Sequence, residues 1–194
     1  MSADRARGPA AGAFVGAWRV PVRILGIDPG TLRLGYGMIE RHGPAKVSYV
    51  ECGVISAPAH DDRPARLLEI GRSLRELIGD LKPHAVAMEE AFFSKNVQST
   101  LALGEARGVA LFVALERGLG VTGYPPATVK KTVVGHGRAS KDQIAYLVRA
   151  LLSMRKVPSA DAADALAIAI CHARCAIDPL FAPGVAGAGR KARP

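Results

Sequence analysis

The sequence predicts an α/β domain, a mixed sheet of five strands flanked by helices. Three observations carry that expectation. Short apolar stretches joined by tight turns fill the region from Val22 to Ala57. Helical periodicity alternating with further short apolar stretches follows. About half the residues are apolar (49%), enough to bury both faces of a sheet.

Taken in order, VRILGID is a buried strand ending on an acid, and the turn PGT follows it. Pro29 fixes φ there, and Gly30 permits close backbone approach. LGYGMIE and VSYVECGVISA continue as second and third strands of an antiparallel meander. From Arg63 the period changes: Leu67, Ile70, Leu74, Leu77 and Ile78 fall at helical spacing. HAVAME is a fourth strand, again ending on acids. NVQSTLALGEARGVALFVALERGLG predicts a long helix with Leu101, Leu103, Val109, Leu111 and Leu115 largely buried. VTGYPP is a brief strand halted by two prolines, and TVKKTVVGHGRASKDQ is expected to contain a basic, glycine-containing loop. Ser140 caps a helix through KDQIAYLVRALLSM, and Asp161 opens a last helix, ADAADALAIAICHARC. The expected organisation is a flexible extension over 1–21, one folded domain over 22–177 and a flexible basic tail over 178–194.

The formal net charge is +9. Each tail carries a net +2, so the excess extends into the domain. Such a balance suits a polyanionic partner. Three cysteines, Cys52, Cys171 and Cys175, build no disulfide framework and fit a reducing cytoplasm. No apolar run approaches the roughly 18 residues of a membrane span, so no membrane partner is expected. Cys171 and Cys175 lie one helical turn apart and are read as small core residues rather than metal ligands.

Four acids stand where chemistry is expected. Asp28 and Glu89 each end a buried strand, where open sheets place ligand sites. Asp161 and Asp164, three apart, share one helix face, and the apolar ALAIAI that follows packs that helix on the sheet. Two carboxylates about 4 Å apart repel by roughly 4 kcal/mol at an effective dielectric near 20. A cluster therefore needs protons or cations within it. All-oxygen ligands suit Mg²⁺ or Mn²⁺, and a pair of such ions suits phosphodiester hydrolysis. Taken singly, Asp28 reads equally well as a turn residue and Asp161 as a helix cap.

The ordered segments ILGIDPGT, MEEAFFSKN, LGEARGVAL, VKKTVVGHGRASK and DAADALAIAI resemble the RuvC family of bacterial Holliday-junction resolvases over roughly residues 22–174. The resemblance implies a ribonuclease H-like fold, a homodimer, Mg²⁺-dependent paired nicking of four-way DNA junctions, and partnership with the RuvA–RuvB branch-migration machine. It assigns the catalytic, metal-holding acids to Asp28, Glu89, Asp161 and Asp164, and so selects Glu89 over Glu90. It assigns the DNA contacts to Phe92, as a base-stacking aromatic, and to Lys130 and Lys141, as phosphate holders. Arg138 joins them by its place in the same basic segment. His136 receives no role, and Arg107 stands between a phosphate contact and support of its helix. GIDPGT is also similar to the phosphate loop of actin-like and sugar-kinase ATPases, but those need a second lobe and a second phosphate loop. Two rival functions remain. One is a junction-binding protein without nuclease activity, against which the presence of all four acids argues. The second is a nuclease of RNA–DNA hybrids, against which the lysine-rich segment and FFSKN argue.

Overall fold

The computed structural model describes residues 21–43, 46–90, 97–135 and 139–175. Five strands form one sheet: β1 (Val22–Asp28), β2 (Arg33–Arg41), β3 (Val47–Ser56), β4 (Ala85–Glu89) and β5 (Val121–Tyr124). Their spatial order is β3-β2-β1-β4-β5. The first three form the expected antiparallel meander, and β4 and β5 join parallel to β1. Helices α1 (Arg63–Leu81), α2 (Val97–Glu116), α3 (Pro126–Val134), α4 (Lys141–Leu151) and α5 (Ala160–Cys175) complete the element order.

Two apolar layers sandwich the sheet. Leu25, Ile27, Leu34, Met38, Val86 and Met88 face α1 and α2. Ile24, Ile39 and Ala87 face α5, with α3 and α4 packed outside it. Side chains alternate faces along a strand. Asp28 therefore shares the face of Ile24, and Glu89 that of Ala87, so both acids emerge on the α5 side. The parallel pairing ends at Ile27 opposite Met88, which sets the two acids side by side one residue later.

Helix α5 is buried along almost its whole length and lies unusually close to the sheet. A Cβ on Gly26 would meet the Ala165 carbonyl oxygen at 2.0 Å, and one on Gly35 would meet the Asp161 carbonyl oxygen at 2.2 Å. These bare backbone positions let the helix rest directly on β1 and β2. Cys171 is buried within it, as the core reading expects.

Two sequence expectations are corrected. Residues 126–134, where the sequence reading places no helix, form α3: Pro126 takes the first-turn position that suits proline, and Gly135 in the left-handed region (φ 88°) ends it. The basic segment is thus partly helical, and Lys130 sits on α3. On α2 the buried residues are Ala106, Ala110, Val113 and Ala114. Leu101 and Leu115, expected inside, are 60% and 56% exposed. Small alanines at four-residue spacing let α2 approach its neighbours closely and turn the larger leucines outward. Among the described residues no helix is long and apolar enough to cross a membrane.

Candidate active site

Asp28 closes β1, and the turn behind it is tight enough that a Cβ on Gly30 would meet the Arg33 carbonyl oxygen. Glu89 closes β4 alongside. From above, α5 brings Asp161 and Asp164 in its first turns, both half-buried among buried neighbours. A cavity of about 210 Å³ opens between them, lined by Asp28, Glu89, Asp164, Lys130 and Lys141. Asp161 stands at its rim and still raises the proton affinity of Asp28. Glu90 lies past the strand end, exposed, with its carboxylate near Gly123 of β5. The structure therefore brings Glu89, not Glu90, into the cavity.

The electrostatics follow from this crowding. Burial, then the neighbouring charges of Asp164, Glu89 and Asp161, push Asp28 up to about 7. Burial and Asp164 also raise Glu89, and Lys130 and Lys141 partly oppose this. Two cations meet the remaining acids directly. Lys141 Nζ is 3.2 Å from Asp164 Oδ2, and Arg33 Nε is 2.8 Å from Asp161 Oδ2. Lys141 is raised by the Asp164 charge beside it. Its own place is fixed by the start of α4, where Ser140 accepts from the Gln143 backbone and the Gln143 side chain accepts from the Ser140 backbone. With Asp161 and Asp164 turned onto Arg33 and Lys141, no three acidic, histidine or cysteine side chains among the described residues converge closely enough to hold one ion as they stand.

The donor set nonetheless suits hard divalent cations. It is all oxygen and half-buried, and burial together with its surplus negative charge pushes one carboxylate toward protonation at neutral pH. Asp28, Glu89, Asp161 and Asp164 are the residues that would hold such ions.

Arg33 is a site residue that sequence reasoning missed. The one signal was period-two spacing, since Arg33 shares its strand face with Gly35 and Gly37, which lie under α5. Arg107 resolves toward support: its Nε donates to the Glu89 carbonyl oxygen at 3.2 Å and ties α2 to the end of β4. Phe92, Arg138 and His136 lie outside the described residues.

A larger groove, about 520 Å³, lies on the opposite side of the molecule between α1 and α2. Leu67, Leu68, Val109, Phe112 and Val113 line it. It is apolar and brings together no pair of carboxylates, so the chemistry belongs to the smaller cavity.

Sheet order, flanking helices and strand-end acids under a crossing helix define a ribonuclease H-like domain with a carboxylate-lined centre. The family model described as crossover junction endodeoxyribonuclease RuvC matches residues 24–172, and the chain belongs to that family. The crossover junction endodeoxyribonuclease RuvC of Bradyrhizobium diazoefficiens is 50% identical over 157 residues, covering 80% of this chain and 88% of that protein. The one from Desulfitobacterium hafniense is 48% identical over 151 residues, covering 77% and 91%. The solved structure of T. thermophilus RuvC in complex with Holliday junction substrate superposes with a TM-score of 0.75 at 35% identity, covering 80% of this chain and 94% of that one. The yeast mitochondrial Holliday junction resolvase Ydc2 shares the fold at 17% identity, with a TM-score of 0.60 over 79% and 78% of the two chains.

Proposed function

We propose that this protein resolves Holliday junctions by paired, symmetric, metal-dependent nicking of DNA strands during recombination and repair. The observation that carries the reading is the carboxylate cluster: Asp28, Glu89 and Asp164 lining one cavity, with Asp161 at its rim. Family membership and the likeness to a junction-bound relative support four-way DNA as the substrate.

The four acids hold the cofactor, Mg²⁺, at two ions per subunit, with Mn²⁺ able to substitute. Such ions supply the charge that acidifies an attacking water and stabilises a leaving oxygen. Lys130 and Lys141, on the cavity wall, hold phosphates and position the strand without reading its sequence. Phe92 and Arg138 complete the DNA contacts, one by stacking on bases and the other on the backbone. The apolar floor under the acids, formed by Val129, Ile144 and Ile168, limits water and strengthens each charge interaction above it.

The protein works as a homodimer, because two equivalent sites suit two equivalent strands. The α1–α2 face supports this: Leu101, Phe112 and Leu115 form an exposed stripe along α2, and Leu68 lies beside it on α1. RuvA–RuvB is the partner machine and the cytoplasm the working compartment. Residues 1–21 and 178–194 are appendages to the 22–177 nuclease domain.

Asp28→Asn tests the reading. Cleavage of a synthetic four-way junction in Mg²⁺ is abolished while junction binding is largely kept, because the acid serves the metal rather than the DNA. Cutting by that variant at the wild-type rate overturns the mechanism.

A further inference from the structure

Arg33 lies outside every segment that carries the family resemblance, yet its guanidinium reaches the site. Its Nε is 2.8 Å from Asp161 Oδ2, while 60% of its side chain remains exposed. An oxygen already against a guanidinium cannot also accept a divalent cation without placing two positive charges together. The Arg33 pair and metal ligation by Asp161 therefore compete, because both draw on the charge of one carboxylate. Arg33 sits at the start of β2, on the same sheet face as α5 and at the open rim of the site. Its long exposed side chain is free to turn outward, where a DNA strand crossing the carboxylates would present phosphates. Guanidinium pairs with phosphate as readily as with carboxylate.

We infer that Arg33 is an exchangeable counter-charge, which holds Asp161 until a divalent cation takes that carboxylate and then passes to a phosphate of the bound strand. Metal loading and DNA grip are thereby coupled through one side chain. This rests on the reading of the four acids as metal ligands. Lys141 pairs with Asp164 in a parallel way. Lys141, however, also lines the cavity and is already assigned to phosphate, whereas Arg33 has no assigned role.

The test uses the full chain and two readouts other than cleavage. Mn²⁺ uptake without DNA is followed by the electron paramagnetic resonance signal of the free ion. Binding of a labelled four-way junction is then measured across a NaCl series, once in Ca²⁺ and once in EDTA. Arg33→Gln is expected to half-saturate with Mn²⁺ at a concentration about two- to fivefold lower, the range of an exposed ion pair. Its salt slope in Ca²⁺ is expected to be shallower than wild type by roughly 0.9, one phosphate contact. In EDTA the two slopes coincide. Arg33→Lys keeps the wild-type slope in Ca²⁺, which separates loss of charge from loss of fold.

An unchanged Mn²⁺ half-saturation or an unchanged slope in Ca²⁺ overturns the inference. An equal loss of slope in Ca²⁺ and EDTA also overturns it, by making Arg33 a plain DNA contact. Asp28→Asn serves as the control on the metal site. If it binds Mn²⁺ like wild type, the metal reading falls and takes the inference with it. If it loses Mn²⁺ while Arg33→Gln matches wild type, only the inference falls.

Discussion

The carbonyl oxygen of Ala165 rests against the bare Cα of Gly26, where an added Cβ would come within 2.0 Å of it. The amide nitrogen of Ala169 closes the other side at 2.8 Å. Both obstacles are backbone, so no rotamer change relieves them. Gly26→Ala is expected to cost about 3 kcal/mol, the upper range for overpacking, in urea denaturation. It also slows junction cleavage by the protein that remains folded, because lifting α5 carries Asp161 and Asp164 away from Asp28.

Asp28 sets a pH dependence of stability. Its folded value of about 7 lies above the ordinary 3.8. The folded state therefore keeps a proton that the unfolded chain gives up between those values. The stabilising contribution is complete below the lower value and is lost as pH rises through about 7. In EDTA, wild type is expected to lose stability between pH 5.5 and 8. Asp28→Asn removes that slope and is more stable than wild type at pH 8 by on the order of 1–2 kcal/mol after solvent screening. Urea melts at the two pH values measure it.

His172 acts in the opposite sense. It is buried in α5, where burial and the Arg41 charge depress it to about 4. A base held below its unfolded value of 6.5 contributes stability that is present above 6.5 and lost as pH falls through 4. Its Nδ1 lies 2.9 Å from the Tyr124 hydroxyl, which ties α5 to β5. Tyr124→Phe leaves that nitrogen without its partner and is expected to cost about 1–3 kcal/mol at pH 7. Denaturation at pH 7 measures the cost, and the histidine ring resonances report the titration.

Phe112 is 60% exposed at the middle of the α2 stripe. Phe112→Asp is expected to halve the mass in sedimentation equilibrium and to leave Mn²⁺ uptake per chain unchanged. On the proposed dimeric reading, the variant is also expected to uncouple the two nicks, so that products cut on one strand accumulate.

Much of this architecture was legible from pattern alone. Short apolar runs ending on an acid placed Asp28 and Glu89 at strand ends, and three-residue spacing put Asp161 and Asp164 on one helix face. Where the pattern misled, the physics is specific. The α2 segment carries leucines on more than one side, and only packing geometry decides that Ala106, Ala110 and Ala114 face inward. Residues 126–134 look like loop because two lysines and a terminal glycine mask one short helical face, Val129 and Val133. Arg33 escaped notice because its partner, Asp161, comes from the far end of the chain. No local pattern encodes that pair.

That separation in sequence has a consequence for biosynthesis. The cluster draws Asp28 from the first strand and Asp161 and Asp164 from the last helix. A ribosome that has made everything through α4 holds a chain with Asp28, Glu89 and both cavity lysines, but without half of its carboxylates. On the proposed reading, the nuclease comes into being only when α5 emerges and settles onto Gly26 and Gly35. Products that stop before α5 therefore lack half of the cluster and cannot cut DNA.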